Sequence, residues 1–140
     1  MLKLGGEYAL ADKASLYSQS ITSIIANTPA GLALRAHLFR VVEKVEAHGS
    51  DAIVLAQLHH ALSLREAEEV RNVFPMWVYD GLQALHRGEN DDNPLDVILR
   101  VKPHSLLRVV MAADLEDQID QKVNVSQASL ELYALLANCR

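Results

Sequence analysis

Apolar residues recur every three or four positions along most of the chain. The first run is Leu10, Ala14, Tyr17, Ile21 and Ile24/Ile25, and the second is Leu34, Leu38, Val41, Val42 and Val45. This is the spacing of one face of an α-helix, and no alternation of the kind a half-buried strand requires runs beyond four residues. Punctuation divides the pattern into segments. The first helix follows Gly5-Gly6 and ends near Asn27; Thr28-Pro29 reads as an N-cap with proline at the first helical position, and Gly49 closes the second helix. Ser50-Asp51 opens a third helix through Leu62, and the capping-box spacing of Ser63 and Glu66 opens a fourth that reaches about Val73. Pro75 to Gly88 makes a fifth, Asn93-Pro94 starts a short sixth, and Lys102-Pro103 kinks or restarts it. Asn124 is positioned to cap a last helix from Ser126 to about Asn138. Helices joined by such short turns predict an all-α fold, a compact single-domain bundle of about six to eight short helices with orthogonal or mixed packing. Residues 1–140 are expected to form one helical domain, with 1–6 a flexible N-terminus.

Composition supports the helical reading, since half of the 140 residues are apolar but only 5% are aromatic. Charge adds a constraint on partners. The net charge is −5, and residues 61–93 hold seven acidic side chains against three basic ones. A nucleic-acid backbone would be repelled by that third of the molecule, so nucleic acid is an unlikely partner. The single cysteine, Cys139, supports no disulfide framework. The N-terminal sequence lacks the basic start and apolar run of a signal peptide, and no stretch reaches the length of a membrane span. A cytoplasmic location is the expectation.

Candidate chemistry is sparse. No histidine has a second histidine or a cysteine three or four residues away, the offsets that bring two ligands together on one helix. His59 and His60 are adjacent, and on a continuous helix they would point about 100° apart. No metal site is therefore expected, and the histidines read as surface or core-edge residues. The glycines match neither a phosphate loop nor a dinucleotide fingerprint, and no nucleophile elbow is present. "ENDDN" lacks the length and central glycine of a calcium loop. The carboxylates of "EAEE" and "DLEDQID" read as solvated helix faces. Neither enzyme activity nor a cofactor is expected.

What remains is surface. His37, Arg40, Lys44 and His48 fall at spacings of three, four and four, a basic stripe on the second helix that reads first as a solvated face and second as a contact for an acidic partner. Around the aromatic cluster, Trp77, Val78, Gly81, Leu82 and Leu85 share a face expected to be core, leaving Met76, Tyr79 and Gln83 outward as a candidate protein contact. Glu66, Glu68 and Glu69 form an acidic patch suited to a basic partner. The reading is a non-catalytic protein-binding module (an adaptor, inhibitor or regulatory subunit), with homodimerisation as a further expectation. The alternative is a DNA-binding regulator. Residues 115–133 resemble a helix-turn-helix motif, with Leu115 and Ile119 in the first helix, Val123 to Ser126 as the turn, and Leu130 and Tyr133 inward on the second. That resemblance implies that Ser126, Gln127 and Ser129 face the major groove. The many carboxylates from Asp114 onward, set against only Lys122 and Arg140, argue against it.

Overall fold

The computed structural model describes residues 9–23, 27–65, 67–86, 94–122 and 126–137. Among these, every regular element is helical, in mixed packing: α1 (Ala9–Thr22), α2 (Pro29–Val45) followed by a 3-10 turn (Glu46–His48), α3 (Ser50–Leu58), α4 (Ala61–Leu64), α5 (Ala67–Val73), α6 (Met76–Leu85), α7 (Pro94–Val101), α8 (Ser105–Gln121) and α9 (Gln127–Ala137). The all-α bundle that the pattern predicts is the fold observed, and among the described residues no helix is long and apolar enough to cross a membrane.

The bundle is organised around α3, whose Ala52, Val54, Leu55, Ala56 and Leu58 are all buried. A helix apolar on every side must be covered on every side, and α1, α2, α6 and α8 all pack on it. Gly81 of α6 makes one of those approaches close: a Cβ there would stand 3.0 Å from Leu55 Cδ2. Leu38, Val41 and Val45 of α2, Val97 and Val101 of α7, Val110 and Leu115 of α8, and Leu132 and Leu136 of α9 complete the core.

Local signals set the start of α2 as expected. Thr28 is extended (φ −99°, ψ 154°) and its Oγ1 accepts from the Gly31 amide at 3.0 Å, with Pro29 behind it. Elsewhere the boundaries move. The third helix does not continue to Leu62; it stops after Leu58, and His59-His60 form a turn before the single-turn α4. Ser63 lies inside α4 rather than capping the next helix, because the chain extends at Arg65 (φ −137°, ψ 159°) and α5 starts at Ala67. Trp77, expected in the core, is 40% exposed, since Phe74 and Val78 fill the inward positions around it. Leu130, expected inward, is likewise exposed, and Leu132 takes the core position on α9. Ile24, Ile25, Gly88, the "ENDDN" stretch, residues 1–6 and Cys139 lie outside the described residues.

Gly49 joins the 3-10 turn to α3 at φ 102°, ψ 177°, a region essentially reserved for glycine. Gly49→Ala is expected to lower unfolding stability by about 1–3 kcal/mol through backbone strain alone, because a methyl there meets nothing within 4 Å. Chemical denaturation of the variant checks this, and an unchanged midpoint would show that the turn relaxes freely.

Candidate metal centre

Three elements deliver polar side chains to one point. His37 comes from α2, half-way along the face that packs on α8. His59 and His60 come from the turn that ends α3, and Asp114 and Asp117 sit three apart on α8, so they share a face. His37 Nε2 lies 2.7 Å from Asp114 Oδ1 and 3.3 Å from His59 Nε2, and His59 Nε2 lies 3.2 Å from the same carboxylate oxygen. His60 Nε2 stands 4.0 Å from Asp114 Oδ1 and is buried with no hydrogen-bond partner. One donor atom from each of His37, His59, His60 and Asp114 falls within 4.8 Å of all the others. Ligands about 2.0–2.1 Å from a tetrahedral zinc ion stand about 3.3 Å from each other, which is the scale of these spacings.

The groups behind the cluster orient it. His59 Nδ1 stands 2.6 Å from the Ala56 carbonyl oxygen, which can only accept, so this nitrogen carries the proton. In the neutral ring Nε2 then presents its lone pair to the cluster. His37 Nδ1 is held 2.7 Å from Asp117 Oδ2 and also donates. Asp117 is almost fully buried and is clamped in turn by Arg40, which donates from Nε at 2.6 Å and from Nη2 at 3.1 Å. A carboxylate or carbonyl on the far nitrogen is the arrangement that fixes tautomer and ring direction in metal-ligating histidines. Gln118 Nε2 donates to Asp114 Oδ1 at 2.9 Å, holding that side chain in place.

Electrostatics follow from the crowding. Burial alone would lower the pKa of His37, but hydrogen bonds and charge from Asp114 and Asp117 outweigh it and raise the pKa above the ordinary imidazole value. Burial opposes ionisation of Asp114, yet the surrounding histidines hold its carboxyl well below the carboxylate range. Asp117 is also lowered, against its burial, by Arg40 and His37. Burial together with the neighbouring His59 pushes His60 down to about 3, so it stays neutral and available as a ligand. A convergence of acceptors around one point favours a cation there, either a proton on His37 or a metal ion in its place.

A depression of about 510 Å³ opens onto this cluster. His37, His60 and Asp117 face it, Ala33 and Ala36 of α2 keep one wall low, and Gln118 and Gln121 flank the other. Two members of the cluster, His37 and His60, thus line an opening towards solvent.

The sequence-based candidates are distributed unevenly around this geometry. The basic stripe of α2 is not a solvated face over its first three members: His37 and Arg40 engage α8 as described, and Lys44 pairs with Glu116 at 2.8 Å and lies 3.8 Å from Asp120. His48 is exposed and forms no ion pair with α8 among the described residues. The contacts within the cluster span 22, 55 and 77 positions, far beyond the three or four that join ligands on one helix. His59 and His60 converge because the helix stops before them and both lie in the turn, so the 100° separation of a continuous helix does not apply. Met76 is exposed, as is Gln83, whose Nε2 donates to the half-buried Tyr79 hydroxyl at 2.8 Å. Glu68 and Glu69 are exposed; Glu69 accepts from Tyr17 at 3.4 Å, and Glu66 lies outside the described residues. On α9, Ser126 Oγ accepts from the Ser129 amide at 3.1 Å as an N-cap, and Gln127 donates to Glu131 at 3.2 Å. Ser129 is 4% exposed and cannot meet a DNA groove in this conformation. The turn residues 123–125 of the helix-turn-helix resemblance lie outside the described residues.

Compared with protein-family models and with curated proteins, the chain matches none.

The directions of these shifts fix a pH profile for the metal-free protein. His37 is raised, so its contribution is complete below its ordinary 6.5 and is lost as pH rises through the raised value. Asp114 and Asp117 are lowered, so theirs is complete above their ordinary 3.8 and is lost as pH falls. His60 is lowered to about 3, so between pH 6.5 and 3 the unfolded chain takes up a proton that the folded protein resists, and stability falls with pH there. Thermal unfolding in chelator is expected to be most stable near pH 6.5, falling on the acid side through His60 and on the alkaline side as His37 loses its proton. His37→Gln should flatten the alkaline side of that profile. A wild-type midpoint that climbs steadily from pH 7 to 8, with His37→Gln climbing in parallel, would exclude this network.

Proposed function

We propose that this protein is a metal-binding helical domain that holds one divalent transition ion through His37, His59, His60 and Asp114. The observation that carries the reading is the convergence of four donor atoms, from three separate parts of the fold, within 4.8 Å. Three imidazoles and one carboxylate suit zinc, cobalt, nickel or iron(II), whereas magnesium and calcium favour all-oxygen sets. Such an ion would tie α2, the end of α3 and α8 together, and its binding free energy would add to folding. We propose binding rather than turnover. All four converging groups serve as ligands, and Asp117, the adjacent carboxylate, is held by His37 and Arg40.

Titration of chelator-treated protein with zinc tests this. One equivalent is expected to bind and to raise the melting temperature, more at pH 8 than at pH 5.5, where the proton on His37 competes. His59→Ala and Asp114→Asn should abolish the shift. Asp117→Asn should weaken affinity about 10- to 100-fold by loosening His37. Circular dichroism of each variant separates lost binding from lost fold. No bound metal in a wild-type protein of full helicity would leave the cluster as a protonated hydrogen-bond network only.

A second reading is favoured by the exposure of Met76 and Trp77, at 52% and 40%, at the start of α6, the helix that follows the acidic start of α5. Large apolar side chains next to charge are the ingredients of a protein-binding hot spot, and this surface suits a basic partner in an adaptor or regulatory role. With such a partner isolated, Met76→Ala or reversal of Glu68 and Glu69 is expected to weaken binding about 10-fold or more, and the complex should loosen with salt. Unchanged affinity in both variants would remove this reading.

A further inference from the structure

The outward face of α2 is apolar where a solvated helix would be polar. Leu32 is 59% exposed and Phe39 66% exposed, and seven positions apart they fall on one line, opposite the Val41 and Val45 that enter the core. The charges on this face are arranged symmetrically about Phe39. Arg35 stands four residues before it and Glu43 four residues after, both exposed. Arg35 is held in place, with Nε donating to Thr22 Oγ1 at 3.1 Å and Nη2 to the Gln19 carbonyl at 3.4 Å. Beside Phe39 a groove of about 470 Å³ runs between α1 and α2, with Leu38 and Val42 on one side and Gln57 at its base. The Gln57 Oε1 atom is buried without a hydrogen-bond partner.

We propose that this face is a homodimer interface, in which α2 packs antiparallel on α2 of a second copy about a two-fold axis at Phe39. A two-fold contact must be self-complementary. An antiparallel register centred on Phe39 sets Arg35 of each copy opposite Glu43 of the other, giving two equivalent ion pairs around an aromatic centre. A register that sets Leu32 against Phe39 instead brings the two Arg35 side chains together, and like charges oppose it. The groove at the foot of Phe39 receives the Phe39 ring of the second copy. This arrangement is independent of the metal centre, whose residues point to the other side of α2.

Sedimentation equilibrium of the full chain, from about 1 to about 300 µM, tests it, since a single helix face makes a small interface. Wild type is expected to dimerise. Phe39→Glu should raise the dissociation constant about 100-fold. Arg35→Glu and Glu43→Arg should each raise it about 10-fold, and the double variant R35E/E43R should return it to within about 3-fold of wild type. Helicity of each variant by circular dichroism confirms that the fold is kept; Phe39 and Glu43 are exposed, and Arg35→Glu gives up the hydrogen bonds to Thr22 and Gln19 but no apolar core contact. A monomeric wild type over the whole range overturns the proposal, and so does a dimer that persists in Phe39→Glu. Failure of the charge swap to rescue overturns the register, and with it the self-complementarity on which the inference stands.

Discussion

Asp117 is the constraint around which the helices settle. A carboxylate this deeply buried would cost several kcal/mol if left unpaired, so wherever α8 lies it must bring Asp117 against cations. Arg40 and His37, three apart on α2, supply them. That requirement fixes the rotation and the height of α8 on α2. Once it is met, Asp114, one turn earlier, is carried against the end of α3, and Leu115 and Val110 are turned into the core on the far side. Lys44 with Glu116 extends the same seam towards solvent, where the pairing adds only about 0–1 kcal/mol.

The cluster owes as much to a helix ending as to helices. Were α3 to run on through residue 62, His59 and His60 would diverge and one of them would leave the site. The turn after Leu58 lets both rings gather beside His37, with centroids 4.3 Å apart from each other and 5.3 Å from His37. The break also frees the Ala56 carbonyl to meet His59 Nδ1 instead of a continuing helical amide. A single irregularity thus sets position and tautomer together.

How much of this the amino-acid order reveals depends on the range of each interaction. Thr28-Pro29 is legible because capping is decided within three residues, and the all-helical fold is legible because periodicity repeats within each segment. The end of α3 is not: "AQLHHALS" carries no glycine or proline, and its break reflects what packs around it. The site is least legible, because its ligands are distant in sequence and no local rule joins them. One signal was present. His37 and Arg40 on one helix and Asp114 and Asp117 on another share a three-residue spacing with opposite charge, so matching stripes between helices would have suggested the contact. Trp77 and Leu130 show the converse, since helical spacing identifies a face but not how far the neighbouring helices cover it.

The separation of the ligands also orders events during synthesis. The three histidines leave the ribosome before any of α8, and Asp114 follows His59 by 55 positions and His37 by 77. Until α8 emerges, the imidazoles have neither their carboxylate nor the Asp117–Arg40 clamp that aims them. Between His60 and Asp114 the nascent chain therefore holds the imidazoles in an unfinished cluster, and its closure waits on the arrival of α8. Residues near Asp114 thus act as the latch of a clasp whose other half has long been waiting.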